Sequence, residues 1–286
     1  MILSGRARLA GVVGWPVVHS RSPRLHGYWL DHHGIDGAYI PLGVEPEHFA
    51  DALFMLARLG FAGMNVTLPH KEAALAAVDE ADADARRIGA VNTIVIRGDA
   101  SLFGTNTDAR GFIANLREQA PAWRAGAAPV VMLGAGGAAR AAAVALLDAG
   151  VPGLCIVNRT ARRAEALAAT LGKKVSVAPW RDRHRVLVGA GLLVNTTSLG
   201  MKGHDVLDLD LGALPLDAVV HDIVYVPLKT QLLAAARARG HIVVDGLGML
   251  LHQARAGFAA WFGVQPEVTP ALREFMLADL GIGANQ

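Results

Sequence analysis

Residues Val130 to Ala139 read Val-Val-Met-Leu-Gly-Ala-Gly-Gly-Ala-Ala, and they decide the fold. The first four are apolar and strand-forming. Gly134 to Ala139 match G-x-G-x-x-A, and Ala138 to Ala149 continue as an alanine-rich helix. Strand, glycine turn and helix N-terminus in that order are what a dinucleotide needs. The glycines let the backbone approach the pyrophosphate, and free N–H groups at the helix start meet its charge. A glycine trio alone is often only a packing turn. Its flanking strand and helix make Gly134, Ala135, Gly136, Gly137 and Ala138 candidate cofactor contacts.

The same alternation runs outward from this stretch. Downstream, Leu154 to Val157, Val175 to Val177, Leu192 to Val194, Val219 to Val224 and Ile242 to Val244 have the short β-branched character of buried strands, with a helix expected over Leu228 to Arg239. Upstream, strands are expected at Gly11 to Val13, Ala38 to Leu42, Phe61 to Val66 and Ala90 to Ile96. Helices are expected at Pro23 to His33, Pro46 to Leu59, Glu72 to Asp79 and Gly111 to Glu118. Strands joined by helical crossovers require mostly parallel sheets covered on both faces. The fold class is therefore α/β with two domains, the second a Rossmann-type doubly wound sheet. Met249 to Phe262 and Pro270 to Leu280 are helical with no strands of their own to cover, and are expected to return to the first domain. The expected division is 1–107 plus 247–286 for one domain and 108–246 for the other.

Composition excludes several classes. The chain has 286 residues, 52% hydrophobic and 18% charged, which is a compact globular composition. No apolar run is long enough for a membrane span, and no secretory leader is visible. A net charge of +2 is too small to argue for nucleic acid. The single cysteine, Cys155, lies in an apolar strand as a buried, inert thiol, which fits a cytoplasmic location. The histidines at 19, 26, 32 and 33 match no common metal spacing and are read as packing or solvent groups, so no metal is expected.

The end of the second strand after the glycine turn selects the cofactor. An acid there would bind a ribose 2′-hydroxyl, but the chain has Asn158-Arg159-Thr160, with Arg163 one helical turn on. Guanidinium groups pair with a 2′-phosphate and stack on adenine, so NADP is favoured over NAD.

Four further motifs stand in the first third. Gly14 to Pro23 (GWPVVHSRSP) puts Ser20 and Ser22 in a turn before a helix. Asn65 to Lys71 (NVTLPHK) ends a strand with a hydroxyl and an ammonium. Gly89 to Thr93 (GAVNT) places Asn92, and Gly104 to Asp108 (GTNTD) supplies a carboxylate. Together with Asn195-Thr196-Thr197-Ser198, Asp222 to Tyr225 and Gly246-Leu247-Gly248-Met249, this closely resembles the shikimate dehydrogenases, in unbroken order from about residue 10 to residue 280. The resemblance implies reversible NADPH-dependent reduction of 3-dehydroshikimate to shikimate in chorismate and aromatic amino-acid biosynthesis. It implies that Ser20 and Ser22 bind the substrate carboxylate, and that Thr67, Asn92, Asp108 and Gln253 read the ring hydroxyls with Tyr225 nearby. Lys71 matches the catalytic lysine and Asp108 its partner. Gly134 to Ala138, Asn158, Arg159, Thr160 and Arg163 match the NADP contacts, and Ile223 and Gly246 line the nicotinamide end. Gly27, where the family often has Asn, and Ile223, where it often has Met, depart from the pattern.

These residue types suit the chemistry. A small polyol acid needs many short hydrogen-bonding groups and few apolar walls. Hydride delivery to a ketone builds negative charge on oxygen, which Lys71 can stabilise and then protonate. Whether Lys71 acts mainly as acid and base or by polarising the carbonyl stays open. Competing readings are a quinate or quinate/shikimate dehydrogenase, an aminoshikimate dehydrogenase, a non-catalytic NADP-binding regulator and a folate-linked cousin on the same plan. Ser20 and Ser22 could also be helix-capping hydroxyls, and Lys71 a surface lysine, although cations are disfavoured at a helix start. His70 is read as structural. No partner beyond the small-molecule substrate is expected, with a monomer or homodimer as the assembly.

Overall fold

A computed structural model describes residues 2–281. The chain divides into two compact units, 1–107 with 251–286, and 108–250.

The first unit is built on a six-stranded sheet. Its elements are β1 (Arg8–Gly14), α1 (Ser22–His32), β2 (Gly37–Gly43), α2 (Phe49–Arg58), β3 (Gly63–Val66), α3 (Lys71–Ala77), β4 (Glu80–Ala81), α4 (Ala83–Ile88), β5 (Thr93–Ile96) and β6 (Leu102–Thr105). The strand order is β2-β1-β3-β5-β6-β4. β1 pairs in parallel with β2 and β3, but β5 runs antiparallel to both β3 and β6. This sheet is mixed, but only β5 runs against the rest and β4 pairs in parallel with β6, so the expectation of a mostly parallel sheet holds with one reversed strand. The β5–β6 connection is a short turn, which only antiparallel neighbours can use. Ala90 to Asn92, expected as the start of a strand, lies outside β5. The residues before the strand turn so that the Asn92 backbone carbonyl can accept from Val66 N–H at 2.8 Å and its own N–H reach Thr105 at 3.1 Å.

The second unit comprises α5 (Asp108–Gln119), β7 (Val130–Leu133), α6 (Gly137–Ala149), β8 (Leu154–Asn158), α7 (Ala161–Leu171), β9 (Val175–Pro179), β10 (Leu192–Asn195), β11 (Val219–Asp222), α8 (Gln231–Ala238) and β12 (Ile242–Val244). Its strands are all parallel, in the order β12-β11-β10-β7-β8-β9. That is the doubly wound dinucleotide-binding order, reversing direction between β7 and β10. β7 and β10 are buried at every residue, as a sheet covered on both faces demands. One face packs Phe112, Leu116, Ala142 and Leu146 over Met132 and Val194. The other packs Leu187, Leu232 and Leu233 over Val131 and Leu193.

α9 (Leu247–Phe262) and α10 (Pro270–Asp279) complete the chain. Within the first unit, the Trp261 indole N–H donates to the Ile94 carbonyl at 2.9 Å, and the Trp29 indole to the Glu267 carbonyl at 3.2 Å. Both indoles are buried, so the C-terminal helices form part of that core. No described helix is long and apolar enough to cross a membrane.

Each unit holds a fully buried histidine. His26 stacks on Tyr39, with ring centroids 3.9 Å apart, and His221 stacks on Phe112 at 4.7 Å. Burial drives the pKa of each down to about 3, at His26 against a smaller opposing contribution from Asn65. A base depressed in the folded state contributes stability above its unfolded pKa, near 6.5, and loses it as pH falls towards 3. Between pH 7 and pH 5 each unit should therefore lose about 2 kcal/mol through its histidine. Denaturant unfolding at the two pH values, compared with His26→Phe and His221→Phe, should show that slope flattened in each variant. An unchanged pH dependence in both would rule this source out.

Candidate active site

In the first unit, the singled-out residues gather at one end of the sheet. β1 and β3 are parallel, and Val13 lies beside Val66, so the segments following both strands leave the same edge. Antiparallel β5 begins at Thr93, opposite Asn65, and β6 ends at Thr105, opposite Thr93. The register thus brings Asn92 and the residues after Thr105 to that edge too.

Ser20 and Ser22 sit where β1 leads into α1. The helix is capped at Arg21 without a side-chain hydrogen bond, and Pro23 occupies its first turn. Ser20 Oγ accepts from Ser22 N–H at 3.3 Å. Helix capping therefore does not account for the Ser22 hydroxyl. Thr67 follows β3, its N–H donating to the Val13 carbonyl at 2.9 Å. Lys71 is the first residue of α3, and its carbonyl accepts from Val91 N–H at 2.9 Å, tying the helix start to the approach to Asn92. Placing a cation at a helix N-terminus works against the helix dipole, so this position is not one that helix stability selects. His70 beside it points elsewhere. It is buried against Phe49, with Nε2 2.8 Å from the Val44 carbonyl, in the structural role expected of it.

Asn92 and Gln253 meet directly. Asn92 Nδ2 donates to Gln253 Oε1 at 3.4 Å, and the Thr107 hydroxyl reaches the same Oε1 at 3.3 Å. The Thr107 backbone N–H donates to Asn92 Oδ1 at 2.9 Å. Thr107 was missed in the sequence because its neighbour Asp108 drew the attention. The one signal was its place inside the Gly104 to Asp108 motif.

Asp108 and Tyr225 belong to the second unit. Asp108 opens α5 and is buried, a position where the helix dipole favours a carboxylate. The proposed cofactor residues line the carboxyl edge of the second sheet. Gly134 has φ +112°, and a Cβ there would lie 2.5 Å from Thr196 Oγ1, so the turn excludes any side chain. α6 starts after Gly136 with no side-chain cap, leaving its first amide groups for an anion. At the end of β8, Asn158 Nδ2 donates to the Thr160 carbonyl at 2.9 Å and shapes the start of α7. Arg159 and Arg163 are exposed beside it. These groups fit a phosphorylated dinucleotide: a side-chain-free turn, an uncapped helix start, and cations in place of an acid at the ribose position.

At the far end of the same edge, Ile223 follows β11, and a side chain at Gly246 would collide with the Ile223 carbonyl. The two residues expected at the nicotinamide end are thus in contact. Asp222 holds that segment. It accepts from Asn195 Nδ2 at 3.0 Å, Val224 N–H at 3.1 Å and the Thr230 hydroxyl at 2.7 Å. Burial nonetheless raises its pKa to about 6, the three hydrogen bonds opposing.

The sequence matches three family models: the shikimate dehydrogenase substrate binding domain at residues 12–94, shikimate / quinate 5-dehydrogenase at 118–201, and the shikimate 5′-dehydrogenase C-terminal domain at 246–274. It is 60% identical to the shikimate dehydrogenase (NADP(+)) of Paramagnetospirillum magneticum, over 96% of this chain and 100% of that one. It is also 60% identical to that of Rhodospirillum rubrum, over 96% and 99%. The chain belongs to the shikimate dehydrogenase family. Among solved structures, the Thermus thermophilus shikimate 5-dehydrogenase in complex with NADP(H) and shikimate superposes with a TM-score of 0.84, at 38% identity, covering 96% of this chain and 99% of that one. The Corynebacterium glutamicum quinate dehydrogenase in complex with NAD gives 0.88 at 34% identity, covering 95% and 99%. The second likeness shows that backbone shape does not separate shikimate from quinate enzymes, so substrate choice rests on side chains.

Cys155 is half-buried and burial pushes its thiol up, consistent with an unreactive group. Glu45, Glu47 and His48, the one cluster of metal-ligand type among the described residues, are all exposed and lie away from the residues above in sequence.

Replacing Gly134 with Ala should lower the unfolding free energy of the second unit by about 1–3 kcal/mol, through the positive φ and the clash with Thr196. Denaturant unfolding monitored on that unit measures it. A neutral substitution would mean that the turn relaxes around the methyl.

Proposed function

We propose that this enzyme catalyses the reversible reduction of 3-dehydroshikimate to shikimate with NADPH. The observation carrying that reading is the Asn92–Thr107–Gln253 cluster. It is a group of short, mutually oriented hydrogen-bonding side chains at the edge of the first sheet, in a chain 60% identical to shikimate dehydrogenases (NADP(+)). A cyclic polyol acid is read by such groups, whereas an apolar substrate would gain nothing from them.

Residues 1–107 with the C-terminal helices are the substrate-binding part, and 108–246 the NADP-binding part. Ser20 and Ser22 hold the substrate carboxylate. Thr67, Asn92, Asp108 and Gln253 bind ring hydroxyls, with Tyr225 beside them. NADPH, when bound, supplies the hydride. Its pyrophosphate is held by Gly134, Ala135, Gly136, Gly137 and Ala138 at the start of α6, its 2′-phosphate by Asn158, Arg159, Thr160 and Arg163, and its nicotinamide end by Ile223 and Gly246. Lys71 donates to the carbonyl oxygen as negative charge develops there and delivers the proton that completes the alcohol. In the reverse direction it takes that proton back. Asp108 is the second catalytic residue and binds the hydroxyl beside the reacting carbon. The reaction consumes small soluble molecules, which suits a cytoplasmic enzyme working as a monomer or homodimer.

Absorbance at the reduced-nicotinamide band, with shikimate or quinate offered with NADP or NAD, tests the assignment. Turnover is expected with shikimate and NADP, and Lys71→Ala should cut kcat at least a hundredfold. Equal or better turnover with quinate and NAD would overturn both the substrate and the cofactor choice. Arg159→Ala should raise KM for NADP roughly tenfold and leave KM for NAD nearly unchanged, because a charge-assisted bond to the 2′-phosphate is worth about 1.5–3 kcal/mol. Equal effects on both cofactors would move the 2′-phosphate away from Arg159.

A further inference from the structure

The Gly246-Leu247-Gly248 stretch of the second unit carries two buried glycines with different neighbours. A side chain at Gly246 would strike the Ile223 carbonyl, whereas one at Gly248 would overlap Asn115 Oδ1 on α5. The start of α9 is therefore packed directly onto the Asn115 amide, which is itself fully buried. Each polar atom of that amide has a partner. The Asp245 carbonyl can only accept, so the Asn115 atom 2.6 Å from it is Nδ2. The same Nδ2 lies 3.2 Å from His221 Nε2, which must accept, and burial keeps that ring neutral. Asn115 Oδ1 accepts from Gln119 Nε2 at 2.6 Å, and Gln119 Oε1 accepts from the Asp245 N–H at 3.3 Å. Asn115 and Gln119 thus hold both backbone groups of Asp245, the residue before Gly246.

The place of this amide in the sheet matters. The β11–β12 ladder ends with His221 beside Val244. Ile223 and Gly246 come together just beyond that last rung, and Asn115 grips one residue from each side of it, His221 on β11 and Asp245 after β12. Phe112, one turn earlier on α5, stacks on the His221 ring at 4.7 Å and presses the helix against the same strand. Asp108 stands two helical turns before Asn115 on α5, which puts both on one side of the helix.

We propose that Asn115 is a positioning residue for hydride transfer, fixing the Asp245–Gly246 peptide against β11 where the ladder stops and so holding the Ile223–Gly246 wall at a set distance from the helix that begins with Asp108. This rests on the reading that Ile223 and Gly246 line the nicotinamide end and that Asp108 is catalytic. Asn115 touches no cofactor or substrate atom in that scheme. Residue 248 is glycine because the amide occupies the space its side chain would need. Hydride transfer depends steeply on the separation of donor and acceptor carbons, so a small shift of this wall is felt in the chemical step.

Asn115→Leu nearly keeps the volume and removes the bonds to Asp245, His221 and Gln119. It should cut kcat for 3-dehydroshikimate reduction about tenfold and leave KM for 3-dehydroshikimate within about twofold. The primary isotope effect, measured with NADPH deuterated at the transferred position, should rise because the hydride step itself is slowed. Gln119→Leu, at a half-buried position, should show the same pattern more weakly, and it carries the test should Asn115→Leu fail to fold. Ile223→Ala, measured alongside, reports on the nicotinamide wall. Wild-type kcat and isotope effect in both α5 variants, with a changed kcat or NADPH KM in Ile223→Ala, would overturn the positioning role and leave the wall standing. Unchanged kcat and NADPH KM in Ile223→Ala would overturn the wall and this proposal with it. A lower kcat with an unchanged isotope effect would mean fewer folded molecules, and would also overturn it.

Discussion

The second unit depends on the pairing of β7 with β10, strands far apart in the chain but adjacent in the sheet. Leu133 and Asn195 end the two strands side by side. The Leu133 carbonyl there accepts from both the Thr196 N–H at 2.8 Å and the Thr196 hydroxyl at 2.6 Å. Because Thr196 is drawn in so closely, residue 134 has no room for a side chain, and the chain must leave β7 through a positive-φ glycine. That turn delivers the start of α6 uncapped at the sheet edge. The pairing of Asn195 with Asp222 in parallel register then sets Ile223 at the same edge, and Gly246 is pressed against its carbonyl. The proposed cofactor site, spread over more than a hundred residues, would thus be one consequence of strand register.

The first unit reaches a comparable result by a different route. Its first three strands in sheet order are parallel and end in the Ser20–Ser22 turn and the Thr67–Lys71 segment. Asn92 and Thr107 come instead from the start of one antiparallel strand and the end of the other. Antiparallel pairing places those two residues next to each other, where parallel pairing would have put them at opposite edges. The one reversed strand, β5, therefore allows the amides and the lysine to share one edge. The buried side chains of Asn65, Thr93, Asn92 and Thr107 are acceptable there because they pair with one another. An unpaired amide at Asn65 or Asn92 would cost about 1–3 kcal/mol.

Much of this was legible in the sequence, and the rest was hidden for identifiable reasons. Val130 to Ala139 could be read because strand, glycine turn and helix each leave a local signature. Ser20, Ser22, Lys71 and Asn92 stood out through short motifs beside strands that resemble those of the shikimate dehydrogenases. The bond from the Tyr39 hydroxyl to Asn65 did not, since an aromatic residue in a strand resembles any other core residue and the partner is 26 positions away. His26 was correctly read as packing, but no local pattern reveals what it packs against. β4 has two residues and β6 four, too short to show alternation, so neither was expected, and the direction of β5 could not be read without its partner β6. Arg159 and Arg163 are proposed as a phosphate clamp on charge sign alone, a contrast that no packing detail alters.

Asp222 illustrates how a costly residue can hold a site together. Burial works against its carboxylate strongly enough to lift the pKa to about 6, even with three donors converging on it. One oxygen takes Asn195 and Val224 and the other takes the Thr230 hydroxyl. An apolar residue would strip the acceptor from Val224 N–H and from the Thr230 hydroxyl. The carboxyl group joins the end of β10, the segment after β11 and the cap of α8 at a single point. Ile223 lies between two of those anchors, so the wall beside the proposed nicotinamide position is held by an acid that local stability alone would not choose.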